Sequence, residues 1–261
     1  MVDAASTPDA QPDAQPTADA RPLGGIDGYC EGIEGRPRVL VYSFENRFRH
    51  LSNYHARAAL YEMCMTRGFT VTTTNDPKSI NATRLAATDV VVFAVNSGSG
   101  IDSLGRADFE AWARAGGGVV GLEAASASEE EWPFYTESIG AIFDGHPPGL
   151  QTATVRIETP NHPIFAGLPT ELEVTDQWYV FKSRPEEVPD LSITMTLDES
   201  TLPADFPEEY KRGYHAIGWT HERFGGRVFY TVLGDNPEVF VNPTLLEIIG
   251  RAIEWTSGVR N

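Results

Sequence analysis

Positive charge is scarce in this chain, and so are cysteines and long apolar runs. Lys and Arg total 20 against 37 Asp and Glu, a formal net charge of −17 over 261 residues. A charge of that sign repels phosphate backbones and argues against nucleic acid as a partner; the acidity itself reads as a solvated surface. No apolar stretch approaches the ~20 residues that span a bilayer, so no transmembrane segment is expected. Two cysteines are too few for a disulfide scaffold or a zinc finger. What remains is 41% hydrophobic residues, enough for a sizeable core.

The N-terminal stretch from Ala5 to Ala20 repeats Pro, Asp and Ala without apolar periodicity. Such a segment buries too little apolar surface to offset its ordering entropy, so residues 1–36 read as a disordered tether and N-terminal arm. No basic n-region and apolar h-region precede it. Its composition resembles the spacer behind the lipidated cysteine of bacterial lipoproteins. That implies a lipid anchor encoded upstream of Met1 and an exported domain; the alternative is a native cytoplasmic tail. Two readings also stand for the cysteines: a Cys30–Cys64 bridge pinning the arm, if the protein is exported, or a free Cys30 with an inert buried Cys64.

Residues 37–259 read as one domain. Arg38–Ser43 and Asp89–Ala94 are continuous apolar runs that suit strands buried on both faces of a parallel sheet. Ser52 reads as the cap of a helix through Arg67, ended by Gly68, and Phe69–Thr74 is strand-like. A short helix at Thr83–Ala87 and one at about Arg106–Ala115 follow. Glu129–Ile139 reads as an aromatic-rich helix, and Gln151–Glu158, Asp176–Phe181 and Ser192–Leu197 as strands. His215–Glu222 and Arg227–Leu233 form a hairpin, and Pro243–Thr256 is an amphipathic helix. The βα alternation of the first half predicts an α/β fold: a doubly wound, mostly parallel sheet flanked by helices, with extra strands from the C-terminal half.

Gly116 to Ala125 is the stretch around which chemistry gathers. Its Gly116-x-Gly118-x-x-Gly121 spelling matches a dinucleotide fingerprint, but these glycines lead into a strand instead of opening a helix after one. Glu123 stands at the strand's C-terminal end, where open α/β sheets present functional side chains. The loop ending in His50 and the Asn96–Gly100 loop converge on the same edge. Further polar residues fall at loops or strand ends beside aromatics: His146, Asp176 with Trp178 and Tyr179, His215 with Trp219, and Asp235. Carboxylates and imidazoles beside ring faces suit a sugar, and the same residue types ligate divalent metals. His162 before Pro163 reads as a turn residue, and His221-Glu222 lacks the second His of His-Glu-x-x-His.

Several spellings occur in order: Phe48-Arg49-His50, Gly116 to Gly121, Trp132-Pro133-Phe134-Tyr135, Gly140-Ala141-Ile142-Phe143 with His146-Pro147, and His162-Pro163-Ile164 with Gly167-Leu168-Pro169. Asp176-Gln177-Trp178-Tyr179 and Gly226 to Thr231 with Leu233-Gly234 complete the series. Together they resemble the trehalose-utilization (ThuA-like) family, from about Arg38 to Gly258. The resemblance implies a class I glutamine amidotransferase-like fold and a place in bacterial metabolism of disaccharides or oxidised sugars. A sugar-acting enzyme would use Glu123, His50, His146 and Asp235 as its catalytic residues, and the same four could hold a divalent metal. Asp176, Trp178, Tyr179, Trp219 and His215 would then shape a carbohydrate site at the strand ends.

Three departures stand out. Glu123 occupies a position where the family has His, Gln177 replaces a Glu, and Asp235 replaces the His of a Gly-His pair. A non-catalytic, carbohydrate- or partner-binding surface lipoprotein is therefore the alternative to an enzyme, and a structural Glu123 paired with Arg49 is a third reading. Glutamine hydrolysis is disfavoured, because the elbow that would carry a Cys or Ser nucleophile holds Glu123. Substrate, metal and oligomeric state are left open by the sequence.

Overall fold

The computed structural model describes residues 28–260, and the segment read as a tether lies outside the described residues apart from its last part. Within that part, Gly28–Cys30 is a strand (β1). Then come Arg38–Tyr42 (β2), Ser52–Arg67 (α1), Thr70–Thr74 (β3), Ala82–Leu85 (α2), Val90–Ala94 (β4), Ser103–Arg114 (α3) and Gly118–Leu122 (β5). The second half holds Pro133–Ile139 (α4), Phe143–Gly145 (β6), Gln151–Ile157 (β7), Glu171–Asp176 (β8) and Val180–Phe181 (β9). Ser192–Asp198 (β10), His215–His221 (β11), Val228–Thr231 (β12) and Pro243–Thr256 (α5) complete it.

One ten-stranded sheet runs β1-β3-β2-β4-β5-β12-β11-β10-β7-β8, with β6 and β9 paired separately. From β3 to β12 the pairings are parallel, and the flanks are antiparallel. The expected doubly wound sheet is thus present, widened by strands of the C-terminal half. Its central strands are apolar on both faces because helices cover both. α1 and α5 pack together in one layer. In the other, Phe109 of α3 and Tyr135 of α4 meet Phe93 of β4 edge-on.

The glycines of the opening stretch serve that packing. A Cβ on Gly118 would lie 2.5 Å from the Thr256 carbonyl of α5, and one on Gly121 would lie 2.9 Å from the Tyr230 ring. They let helix and neighbouring strand approach β5.

Boundaries differ from expectation where tertiary contacts intervene. α1 begins with Leu51, already helical at φ −59°, in the cap position, because the His50 carbonyl accepts the Asn53 N–H; Ser52 lies inside the helix. Asp102 accepts from Gly105 N–H and starts α3 earlier than Arg106. α4 starts only at Pro133, because Glu129 adopts φ 47° and turns its carboxylate to the Gly100 and Ile101 N–H groups and to Arg106. The stretch read as one strand, Asp176–Phe181, breaks after Asp176, so that only Val180–Phe181 rejoins a sheet. Cys30 and Cys64 form a disulfide that ties β1 to α1, the first of the two readings offered for them.

Candidate functional site

Parallel strands β2, β5 and β12 all end at one edge of the sheet, and each is followed by a residue of the site. His50 closes the loop after β2, Glu123 follows β5 directly, and Asp235 lies just beyond β12. One ligand atom from each of these three lies within 4.8 Å of the others.

Glu123 is at φ 51°, a left-handed conformation that strains a non-glycine residue by ~1–3 kcal/mol. The strain turns the chain sharply at the strand exit and aims the side chain into the protein, where it is 0% exposed. The Tyr179 hydroxyl donates to Oε1, and the Ala124 N–H to Oε2. The Glu123 carbonyl accepts from the Tyr230 hydroxyl at 2.8 Å, which locks the elbow from below. Its ionic neighbour is His50, whose Nε2 lies 3.7 Å from Oε1. No Arg49 pair of the kind considered from sequence is formed among the described residues.

His50 is oriented by a carboxylate that sequence reading overlooked. Glu45 Oε1 contacts His50 Nδ1 at 3.0 Å and accepts the His50 backbone N–H at 2.9 Å. A proton on Nδ1 for that bond leaves the Nε2 lone pair turned toward Glu123 and Asp235. Glu45 is held by a bridge to Ser97, so the Asn96–Gly100 loop supports His50 at one remove. The signal for Glu45 was its position five residues ahead of His50 in the same loop.

Asp235 owes its place to Asp176. The buried Asp176 carboxylate accepts the N–H groups of Gly234 at 2.8 Å and of Asn236 and Gln177 at 2.9 Å. Gly234 at φ 144° makes the bend that brings its own amide and that of Asn236, on either side of Asp235, within reach. Asp176 is therefore behind the site, as a support for the loop that carries Asp235.

The other residues singled out from sequence fall into two groups. Tyr179 reaches the centre through its hydroxyl, and His146 packs its ring on Tyr179 at 5.7 Å while its Nδ1 contacts the Pro147 carbonyl at 2.8 Å. His146 is not among the atoms that converge with His50, Glu123 and Asp235. Trp178 and Trp219 are 0% exposed, with indole N–H groups donating to the carbonyls of Gln151 and Ile139. His215 is buried between Glu199 and the Tyr179 carbonyl, each at 2.8 Å from a ring nitrogen. It braces Tyr179 from behind.

Residues 38–256 match the ThuA family, described as trehalose utilisation. The chain belongs to that family. A ThuA-like protein from Bacteroides uniformis superposes with a TM-score of 0.72 at 20% identity, over 88% of this chain and 95% of that one. A second, from Parabacteroides merdae, gives 0.66 at 17% identity, over 85% and 90%. A cytoplasmic protein from Salmonella typhimurium gives 0.55 at 10% identity, over 84% and 98%. No match is found among curated proteins. At these identities the likeness establishes the fold, glutamine amidotransferase-like, and the family supports a role associated with carbohydrate metabolism.

In this ThuA-family chain the electrostatics of the centre are those of crowded acids. Burial pushes the Glu123 carboxyl up to about 8; His50 opposes the rise and Asp235 adds to it. Asp235 is also raised by burial, against the pull of His50 and His146. Burial lowers the pKa of His50, but its bond to Glu45 and the charges of Glu123, Glu45 and Asp235 outweigh that and leave it raised. Burial pushes Asp176 up to about 7 even against its three backbone donors. One imidazole and two carboxylates thus face a common point with the valences to move a proton or to hold a cation.

Proposed function

We propose that this chain acts on a carbohydrate at the His50–Glu123–Asp235 centre, by acid–base or cation-assisted chemistry at a sugar hydroxyl or carbonyl. The observation that carries the reading is the convergence of these three groups from separate strand exits, one of them on a strained elbow. The elbow supplies no thiol or hydroxyl, so an acyl-enzyme of the amidotransferase kind has no nucleophile there. Phe48, 41% exposed, stands with its ring 6.4 Å from that of His50, and Phe143 adjoins both Phe48 and His146. Polar groups beside an exposed ring face match the two sides of a pyranose. The Cys30–Cys64 bridge supports an exported protein, since such bonds persist in oxidising compartments.

A second reading has an observation of its own. Glu123 is enclosed beneath His50 and Asp235, which favours a domain that binds a sugar without reacting with it. Disaccharides and keto-sugars incubated with the protein, with products followed by NMR, separate the two. The enzyme reading expects turnover that falls ~100-fold or more in Glu123→Gln and in Asp235→Asn. Equal turnover by both variants would exclude this centre. Sugar binding without turnover in the wild type would establish the second reading.

A further inference from the structure

We propose that His50 Nε2 and one carboxylate oxygen each from Glu123 and Asp235 form a seat for a single divalent transition-metal ion. The proposal rests on the reading of this centre as the reactive site and names what would act there.

Three observations point the same way. The first is distance. The 3.7 Å between His50 Nε2 and Glu123 Oε1 is too long for a hydrogen bond. Around a metal with arms of ~2.1 Å, tetrahedral ligands stand roughly 3.4 Å apart, within a few tenths of an ångström of this gap. The second is orientation. Glu45 fixes His50 so that Nε2 faces inward, and Tyr179 and Ala124 each hold one Glu123 oxygen, which is how outer carboxylates and hydroxyls orient metal ligands. The third is an unanswered acceptor. The Asp235 carboxylate accepts no hydrogen bond from the described residues, although its loop is locked by Asp176, and it points at two other acceptors. Two carboxyl groups and an imidazole nitrogen gathered with no hydrogen bond between them are stabilised by a shared cation.

The donor set narrows the ion. Imidazole selects against Ca2+ and Mg2+, while two carboxylates and no thiolate suit Mn2+, Co2+ or Zn2+. Three protein ligands leave open positions for water or for a sugar oxygen, the arrangement of a catalytic and not a structural site.

The test uses untagged, chelator-stripped protein titrated with Co2+, Mn2+ and Zn2+ by calorimetry, with the Co2+ visible spectrum as a second readout. About one equivalent is expected to bind, with Co2+ bands typical of mixed N/O coordination and a raised melting temperature. Asp235→Asn is expected to weaken binding ~100-fold or more while leaving the apo-protein folded. Glu45→Gln, outside the ligand set, is expected to weaken it about 10- to 100-fold. Absence of stoichiometric binding by the wild type overturns the proposal, and so does unchanged affinity in Asp235→Asn. Turnover of a sugar by metal-free protein would remove this inference and leave the proposed function intact. Metal binding without turnover would do the reverse.

Discussion

The disulfide makes a prediction that can be worked in full. Cys30 and Cys64 are separated by 34 residues, and cross-linking them removes loop-closure entropy from the unfolded chain. For a loop of that length the chain-entropy relation gives about 3.8 kcal/mol at 25 °C. The arm has other attachments: β1 pairs with β3, Ile33 N–H bonds the Gly68 carbonyl at 2.8 Å, and Gly32 N–H bonds Thr70 Oγ1 at 3.1 Å. Gly32 lies so close to the backbone of α1's end that a Cβ would stand 2.2 Å from the Gly68 oxygen. These contacts keep the arm docked in Cys30→Ser, so the loss is expected in global stability. Urea unfolding of wild type and Cys30→Ser under non-reducing conditions should differ by roughly 3–4 kcal/mol, with a melting temperature lowered by roughly 10 °C. The same shift should follow a reductant added to the wild type and should be absent in the variant. A difference under about 1 kcal/mol, with β1 amides equally protected from hydrogen exchange in both proteins, would refute the reasoning.

Two further predictions concern buried polar groups. His221 Nε2 contacts the Ser138 carbonyl at 2.7 Å, and burial pulls its pKa from 6.5 to about 4. The unfolded chain therefore takes up this proton first as pH falls, so the stability is intact above pH 6.5 and lost between 6.5 and about 4. That loss is on the order of 3 kcal/mol, and the difference between wild type and His221→Gln in urea unfolding across the window should report it; parallel curves would contradict it. Tyr179→Phe removes the hydroxyl that donates to buried Glu123. It should destabilise the fold by roughly 1–3 kcal/mol, and an unchanged urea midpoint would show that this hydrogen bond contributes nothing.

The parallel half of the fold was legible because its evidence is local. β2, β4 and β5 are apolar on successive residues, which only a strand covered on both faces tolerates, and Gly68 ends α1 in the left-handed conformation expected of it. What misled was chemistry used at long range. Asp176 read as the start of a strand and Glu129 as the start of a helix, because their backbone partners lie 58 and 29 residues away. The three converging residues were legible for a topological reason: parallel strands end at one edge, so residues at their exits meet. Burial was not legible. Trp178 and Trp219 carry the composition of a sugar platform, and nothing in their neighbourhood announces that both rings are enclosed.

The acidity read from composition as solvation has a second use around this site. Glu45 gathers the His50 N–H and ring, Glu129 the Gly100 and Ile101 N–H groups, Asp176 those of Gly234, Asn236 and Gln177, and Glu199 those of Arg212 and Gly213 with the His215 ring. Each of these carboxylates supplies acceptors to irregular backbone that no sheet ladder satisfies, and two of them, Glu45 and Asp176, do so beside a group of the centre without belonging to it. Position and chemistry are thereby assigned to different residues: Asp176 sets where Asp235 stands, and Asp235 sets what charge stands there. Asn at 235 should keep its place because its neighbours' amides remain bound to Asp176. That separation is what allows Asp235→Asn to test the chemistry of the centre and not its folding.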